Sequence, residues 1–143
     1  MAQRLIHIIG SSRWRGKERY ALDICKAFSD MGWSVTAYTR DAKAVDTFFE
    51  KEGIDLRHAP IQGAFDFTTL RILRDDFKHE AKGAVVHTHR YRDAMVAILA
   101  RKLAARPDIR IINTRHKVKA GKNSWLFRWI YRNVDAHIFV SEA

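Results

Sequence analysis

Short apolar runs alternate with amphipathic stretches from one end of the chain to the other. Arg4 to Ile9 is apolar and stops at Gly10, as a buried first strand would. From Lys17 to Met31 the apolar positions Ala21, Ile24, Cys25, Phe28 and Met31 follow the spacing of one helix face, and Gly32 supplies a stop. Val35–Thr39 reads as a second strand, Ala42–Lys51 as a helix ended by Gly53, and Ile54–Ala59 as a third strand closed by Pro60. The rhythm then repeats. Phe67, Leu70, Leu73 and Phe77 mark a helix ending near Gly83, and Ala84–Thr88 is a strand. Met95, Ile98, Leu99 and Leu103 stripe the next helix, followed by a strand over Ile109–Asn113. A helix over Ser124–Asn133 and a sixth strand over Ala136–Val140 complete the pattern.

Such alternation predicts an α/β fold: a doubly wound, Rossmann-like parallel sheet of about six strands with helices on both faces. Right-handed crossovers favour the strand order 3-2-1-4-5-6. With no linker, repeat or low-complexity stretch, residues 1–143 read as a single domain. One cysteine, Cys25, leaves no internal disulfide and fits a reducing compartment. No apolar run approaches the ~20 residues of a membrane span, and the first residues lack a secretory pattern, so a cytoplasmic setting is expected.

Charge changes the picture more. Twenty-six Lys and Arg against sixteen Asp and Glu give a net +10, which points to an anionic partner. In a sheet of this order, ligands bind outside the carboxyl ends of the strands, where the strand order reverses. That crevice lies between the loops after strands one and four. The first loop runs Gly10–Arg19 and contains Arg13, Arg15, Lys17 and Arg19 with one acid, Glu18. After strand four comes His87-Thr-His89-Arg90-Tyr-Arg92-Asp93, and after strand five Thr114-Arg115-His116-Lys117 with Lys119 and Lys122. The loops after strands two and three differ: Arg40-Asp41 is balanced and Pro60–Gly63 is uncharged.

Gly10 to Gly16 joins a strand to a helix whose first amides could bind an anion, but it matches neither the dinucleotide fingerprint nor the Walker pattern. His87 and His89 lie two apart and so share one side of a strand; with His116 they could form a metal site. The surrounding Arg and Lys would repel a cation, so no metal is expected, with His87 read as structural and His89 as facing the crevice. His116, between Arg115 and Lys117, can donate to a sugar hydroxyl or a carbonyl beside phosphate-binding cations. The most aromatic stretch, Trp125–Arg132, fits a helix buried in the core or against a partner domain; the alternative is a basic, membrane-facing helix.

Taken in order, these segments resemble a known family. Arg15-Gly-Lys-Glu-Arg19 before Tyr20-Ala-Leu-Asp-Ile resembles the Gly-Gly-x-Glu-Arg entry of the retaining GT-B glycosyltransferases of the group 1, or family 4, type. Ala27-Phe-Ser-Asp-Met-Gly-Trp-Ser-Val-Thr36 is similar to that family's step into strand two, and Val86-His-Thr-His89 to its Val-His-x-His strand end. Thr114-Arg-His116 and Val134-Asp-Ala-His-Ile-Phe-Val-Ser141 are similar to its fifth and sixth strands.

The resemblance implies the N-terminal, acceptor-side half of a GT-B enzyme, which moves a sugar from a nucleotide-sugar with retention of anomeric configuration. It implies Gly16, with Lys17, beside the donor diphosphate and His116 as catalytic residue near the transferred sugar. Acceptor contacts are expected from Arg13, Arg15, His89, Arg90, Arg115 and Lys117. The acceptor expected is a glycan or lipid-linked cell-envelope molecule, reached at the inner face of the membrane through peripheral contact. The nucleotide-sugar is a substrate, so no cofactor is implied, and nucleic acid is not an expected partner. The C-terminal nucleotide-sugar domain that the family adds is absent from this chain, and without it the chain is expected to be inactive or nearly so. Arg15 departs from the family's glycine. The alternatives are a stand-alone nucleotide- or nucleic-acid-binding module and a metal-dependent hydrolase built on His87, His89 and His116.

Overall fold

A computed structural model describes residues 3–62, 65–115 and 125–139. Its elements alternate throughout: β1 (Arg4–Ile8), α1 (Gly16–Asp30), β2 (Ser34–Thr39), α2 (Lys43–Lys51), β3 (Asp55–His58) and α3 (Phe67–His79). Then follow β4 (Val85–Thr88), α4 (Tyr91–Leu103), β5 (Arg110–Arg115), α5 (Trp125–Asn133) and β6 (Ala136–Phe139). The strands form one sheet in the order β3-β2-β1-β4-β5-β6, as the alternation predicts, with every pairing parallel.

Side-chain alternation along the strands splits the interior into two layers. Ile6 and Ile8 of β1 join Val86 and Ile111 under α3, α4 and α5, with Leu73, Phe77, Ala97 and Ile98. On the opposite face Ala37 and Ile9 meet Leu22, Cys25, Val45 and Phe49 of α1 and α2. The edge strands need less cover. β3 and β6 have no buried residue, and Phe139 at the β6 edge is 62% exposed.

Local chemistry fixes the element ends. The Glu18 carboxylate accepts the Arg15 amide at 3.1 Å, satisfying a donor at the start of α1; Arg15 itself has no acceptor to return. Asp66 caps α3 by accepting from the Thr69 amide at 3.0 Å and the Gln62 amide at 2.9 Å. Gly32, after α1, has φ of 90°, a backbone region that costs a Cβ-bearing residue energy.

Among the boundaries that differ from the pattern-based expectation, two bear on the site. α4 begins at Tyr91, a turn before the apolar stripe starts, because Arg90 is extended and Asp93 enters the first turn. β5 runs on to Arg115, past the expected Asn113, because Thr114 and Arg115 pair with Ile138 and Phe139 of β6. In α5 only Ile130 is buried, while Leu126 and Trp129 pack against the core and Trp125 is 77% exposed. Among the described residues no helix is long and apolar enough to cross a membrane.

Candidate functional site

The reversal of strand order places the end of β1 beside the end of β4, and both loops there open onto one cleft. The cleft has a volume of about 260 Å³ and is lined by Gly10, Ser11, Ser12, Arg13, Arg15, Lys17, Glu18, Arg40 and Arg90. The β1–α1 loop that forms its main wall is pinned by Trp14, whose ring stacks on Phe48 of α2 at 4.0 Å. Five of the lining residues are cationic and one, Glu18, is a carboxylate committed to the Arg15 amide.

Arg90 is the best-fixed of these cations. Its Nε and Nη2 donate to the two carboxylate oxygens of Asp93 at 3.0 and 3.1 Å, a bidentate pair one turn apart. Asp93 is buried, which pushes its carboxyl above the ordinary value, while the Arg90 hydrogen bonds and charge oppose that shift. The guanidinium lies against the backbone of Gly10: a Cβ there would stand 1.9 Å from Arg90 Nη2. Only glycine therefore permits this approach. Beneath the pair a void of about 10 Å³, lined by Ser11, Lys17, His89, Arg90 and Asp93 among others, has room for one water.

Below the cleft three imidazoles stack. His7 and His87 are Cα partners on β1 and β4, and their rings lie 4.5 Å apart. His89 adds a third ring, 4.7 Å from His87 and 5.2 Å from His7, with Tyr20 of α1 edge-on to it at 6.0 Å. His7 Nδ1 is 2.9 Å from Cys25 Sγ, and His87 Nε2 is 2.5 Å from Thr114 Oγ1. Burial, with His87 beside it, holds the His7 imidazole well below its ordinary value, so it is neutral; burial also pushes the Cys25 thiol up to about 12. The three histidines bring nitrogens within 4.8 Å of one another. A metal, however, needs in-plane lone pairs converging at ~2.0 Å. Ring planes inclined by only 15–29° keep these in-plane lone pairs in nearly parallel planes, an arrangement of stacked rings more than of ligands around a shared centre.

The sequence-predicted residues thus separate. Arg13, Arg15, Gly16, Lys17 and Arg90 meet at or beside the cleft. His89 is 7% exposed and borders the small void below rather than the open cleft, because its ring joins the stack. Arg115 is not among the cleft's lining residues: its Nη1 donates to Tyr131 Oη at 3.3 Å and its guanidinium sits over Tyr91. His116 and Lys117 lie outside the described residues. Arg40, which looks neutralised by Asp41 in sequence, lines the cleft, while Asp41 has φ of 59° and lies 3.8 Å from His58. His7 also goes unnoticed in the sequence, although its alternate position on β1 is the signal that would have placed it beside His87.

Residues 14–143 match the sequence model of Glycosyltransferase Family 4. The chain belongs to glycosyltransferase family 4. Solved structures agree at the level of fold. A glycosyltransferase from Rickettsia africae ESF-5 is 18% identical with a TM-score of 0.69, covering 87% of this chain and 32% of its own. MurG from Acinetobacter baumannii is 14% identical with a TM-score of 0.68, covering 97% of this chain and 42% of its own. Alr3699/HepE from Anabaena, solved with UDP, is 13% identical with a TM-score of 0.64, covering 92% and 35% respectively. The family 4 chain therefore spans between a third and about two fifths of the length of these neighbours. No curated protein sequence matches it. Its sheet is that of one GT-B half.

Proposed function

We propose that this chain is the acceptor-side half of a glycosyltransferase that moves a sugar from a nucleotide-sugar, with retention, to an anionic glycan or lipid-linked acceptor of the cell envelope. The observation that carries the proposal is the basic cleft at the switch point of a family 4 chain. In this reading the first turn of α1, at Gly16 and Lys17, faces the donor diphosphate, where helix amides and a cation favour it. Arg13, Arg15 and Arg90 hold the acceptor. His116 acts beside the transferred sugar as a hydrogen-bond donor, with Lys117 nearby. His89 supports from below, through the void it shares with Lys17 and Asp93. The binding of UDP by the Anabaena neighbour agrees with a nucleotide-sugar donor.

A second, C-terminal domain supplies the nucleotide site in this reading. The exposed Trp125 with Arg128 and Arg132 on α5 suits contact with an anionic bilayer beside that acceptor. A stand-alone nucleic-acid module is less well supported, because the cations face into a cleft of about 260 Å³ rather than along an extended stripe. The test is sugar transfer by protein containing both halves, using a panel of nucleotide-sugars and cell-envelope acceptors, with the product's anomeric configuration read by NMR. Transfer with retention is expected. Absence of transfer from every donor contradicts the proposal, and inversion contradicts its stereochemical part.

A further inference from the structure

The cations in the cleft outnumber what a sugar-nucleotide requires. Five of them, Arg13, Arg15, Lys17, Arg40 and Arg90, face one cleft carboxylate, Glu18, and one buried beneath it, Asp93. A nucleotide-sugar diphosphate brings two negative charges, so positive charge is left over even after the donor is bound. Part of the excess also comes from elements other than the helix terminus that suits the diphosphate. Arg40 comes from the end of β2 and Arg90 from the end of β4, on either side of the β1–α1 loop. Among the described residues no carboxylate pairs with Arg13, Arg15 or Arg40.

Arg90 differs from an ordinary surface cation because it is positioned before any ligand arrives. Asp93 fixes one edge of its guanidinium, and the bare backbone of Gly10 lets the group lie against the loop. A planar fork held in this way suits the oxygens of a phosphate group better than a flexible lysine would.

We propose that Arg90, with Arg40 and Arg13, forms a second anion site that takes a phosphate ester carried by the acceptor itself, separate from the donor diphosphate. The acceptor is then a phosphorylated molecule and not a neutral glycan. This inference rests on the glycosyltransferase reading and adds the acceptor's class to it.

The test is calorimetric titration of the 143-residue chain with glycerol 3-phosphate, with inorganic pyrophosphate, and with each in the presence of the other at constant ionic strength. The expected result is saturable binding of glycerol 3-phosphate that persists when pyrophosphate is present. Arg90→Gln should weaken it at least tenfold. Gly10→Ala should do much the same without changing any charge, because the new methyl displaces the guanidinium. Lys82→Gln, which removes one charge at the opposite edge of the sheet, should leave affinity within twofold. A thermal melt of each variant separates lost binding from lost folding. If Arg90→Gln or Gly10→Ala does not fold, Arg40→Gln, on an exposed side chain, should show at least a threefold loss.

Three results overturn the proposal: no saturable glycerol 3-phosphate binding, equal losses in Lys82→Gln and Arg90→Gln, or mutual exclusion of the two ligands. Mutual exclusion would assign these cations to the donor diphosphate and leave the glycosyltransferase reading standing. Failure of sugar transfer from every nucleotide-sugar would remove that reading while a phosphate site could still be measured.

Discussion

Arginines gather at both edges of the sheet, and what each one touches separates structural from functional charge. At the amino edge Arg4, Arg101 and Arg106 are committed. Arg4 meets Glu80 at 2.9 Å. Arg101 donates to Asp135 at 2.9 Å and to the Asn133 carbonyl, tying α4 to the start of β6. Arg106 donates to the carbonyls of Phe77 and Glu80 at 2.7 and 3.0 Å and to Asp108 at 2.9 Å, closing the end of α3. The arginine beside it holds the Asp108 carboxyl well below its ordinary value. At the carboxyl edge Arg13, Arg15 and Arg40 have no such carboxylates among the described residues, and Arg90 is held by one while still lining the cleft. Cavity volume alone would favour the amino edge over this cleft, since the hollow around Arg101, Arg106 and Asp135 reaches about 410 Å³ against about 260 Å³. Its cations are already satisfied, which makes it a joint in the fold.

The largest effect that would break this contrast lies at the amino edge. Arg106→Ala strands helix-end carbonyls and Asp108, and should lower unfolding free energy by about 2 kcal/mol while leaving anion binding unchanged. Urea denaturation and phosphate titration of the same variant check both halves. Next comes the double variant Arg13→Gln/Arg40→Gln, which should weaken phosphate binding roughly tenfold, ~1.4 kcal/mol, with no loss of stability. A destabilised double variant would mean that these arginines are structural after all.

The buried histidine stack should produce a pH effect of at most ~1.4 kcal/mol per pH unit for each proton involved. His7 is held neutral in the fold, so its contribution is complete above the ordinary imidazole value of 6.5 and is lost as pH falls below it. Unfolding free energy should therefore decline from pH 7 toward pH ~5, with a shallower decline in His7→Gln. An identical slope in both proteins would show that His7 does not set it. The smallest effect is at Arg15, exposed and bound to the loop through its backbone amide rather than its side chain. Arg15→Gly should change phosphate affinity by no more than about threefold, a typical effect for one exposed charge.

The strand order and both helix layers were legible in the sequence because buried strands and amphipathic helices write different periods. The basic cleft was legible in outline for a related reason: a doubly wound sheet brings the ends of β1 and β4 together whatever their side chains. What escaped depends on pairings that no period encodes. His7 meets His87 through strand register. Arg40 lines the cleft although an acid follows it in the chain, and that acid, Asp41, lies near His58 instead. Asp93 was visible as an acid, but its grip on Arg90 required α4 to start at Tyr91, ahead of the apolar stripe that marks the helix. Arg115 looked equivalent to its basic neighbours until β5 continued through it and carried its guanidinium to Tyr91 and Tyr131.

The central claim is that the carboxyl-edge cations bind anions while the amino-edge cations do not. A ¹H–¹⁵N NMR titration of the labelled chain with inorganic pyrophosphate tests it most directly. Saturating shifts centred on the first turn of α1, at Gly16–Glu18, are expected with pyrophosphate, and glycerol 3-phosphate added afterwards should shift Arg40 and Arg90–Asp93. Shifts centred on Arg101–Pro107, or spread over all exposed cations without saturation, would contradict it.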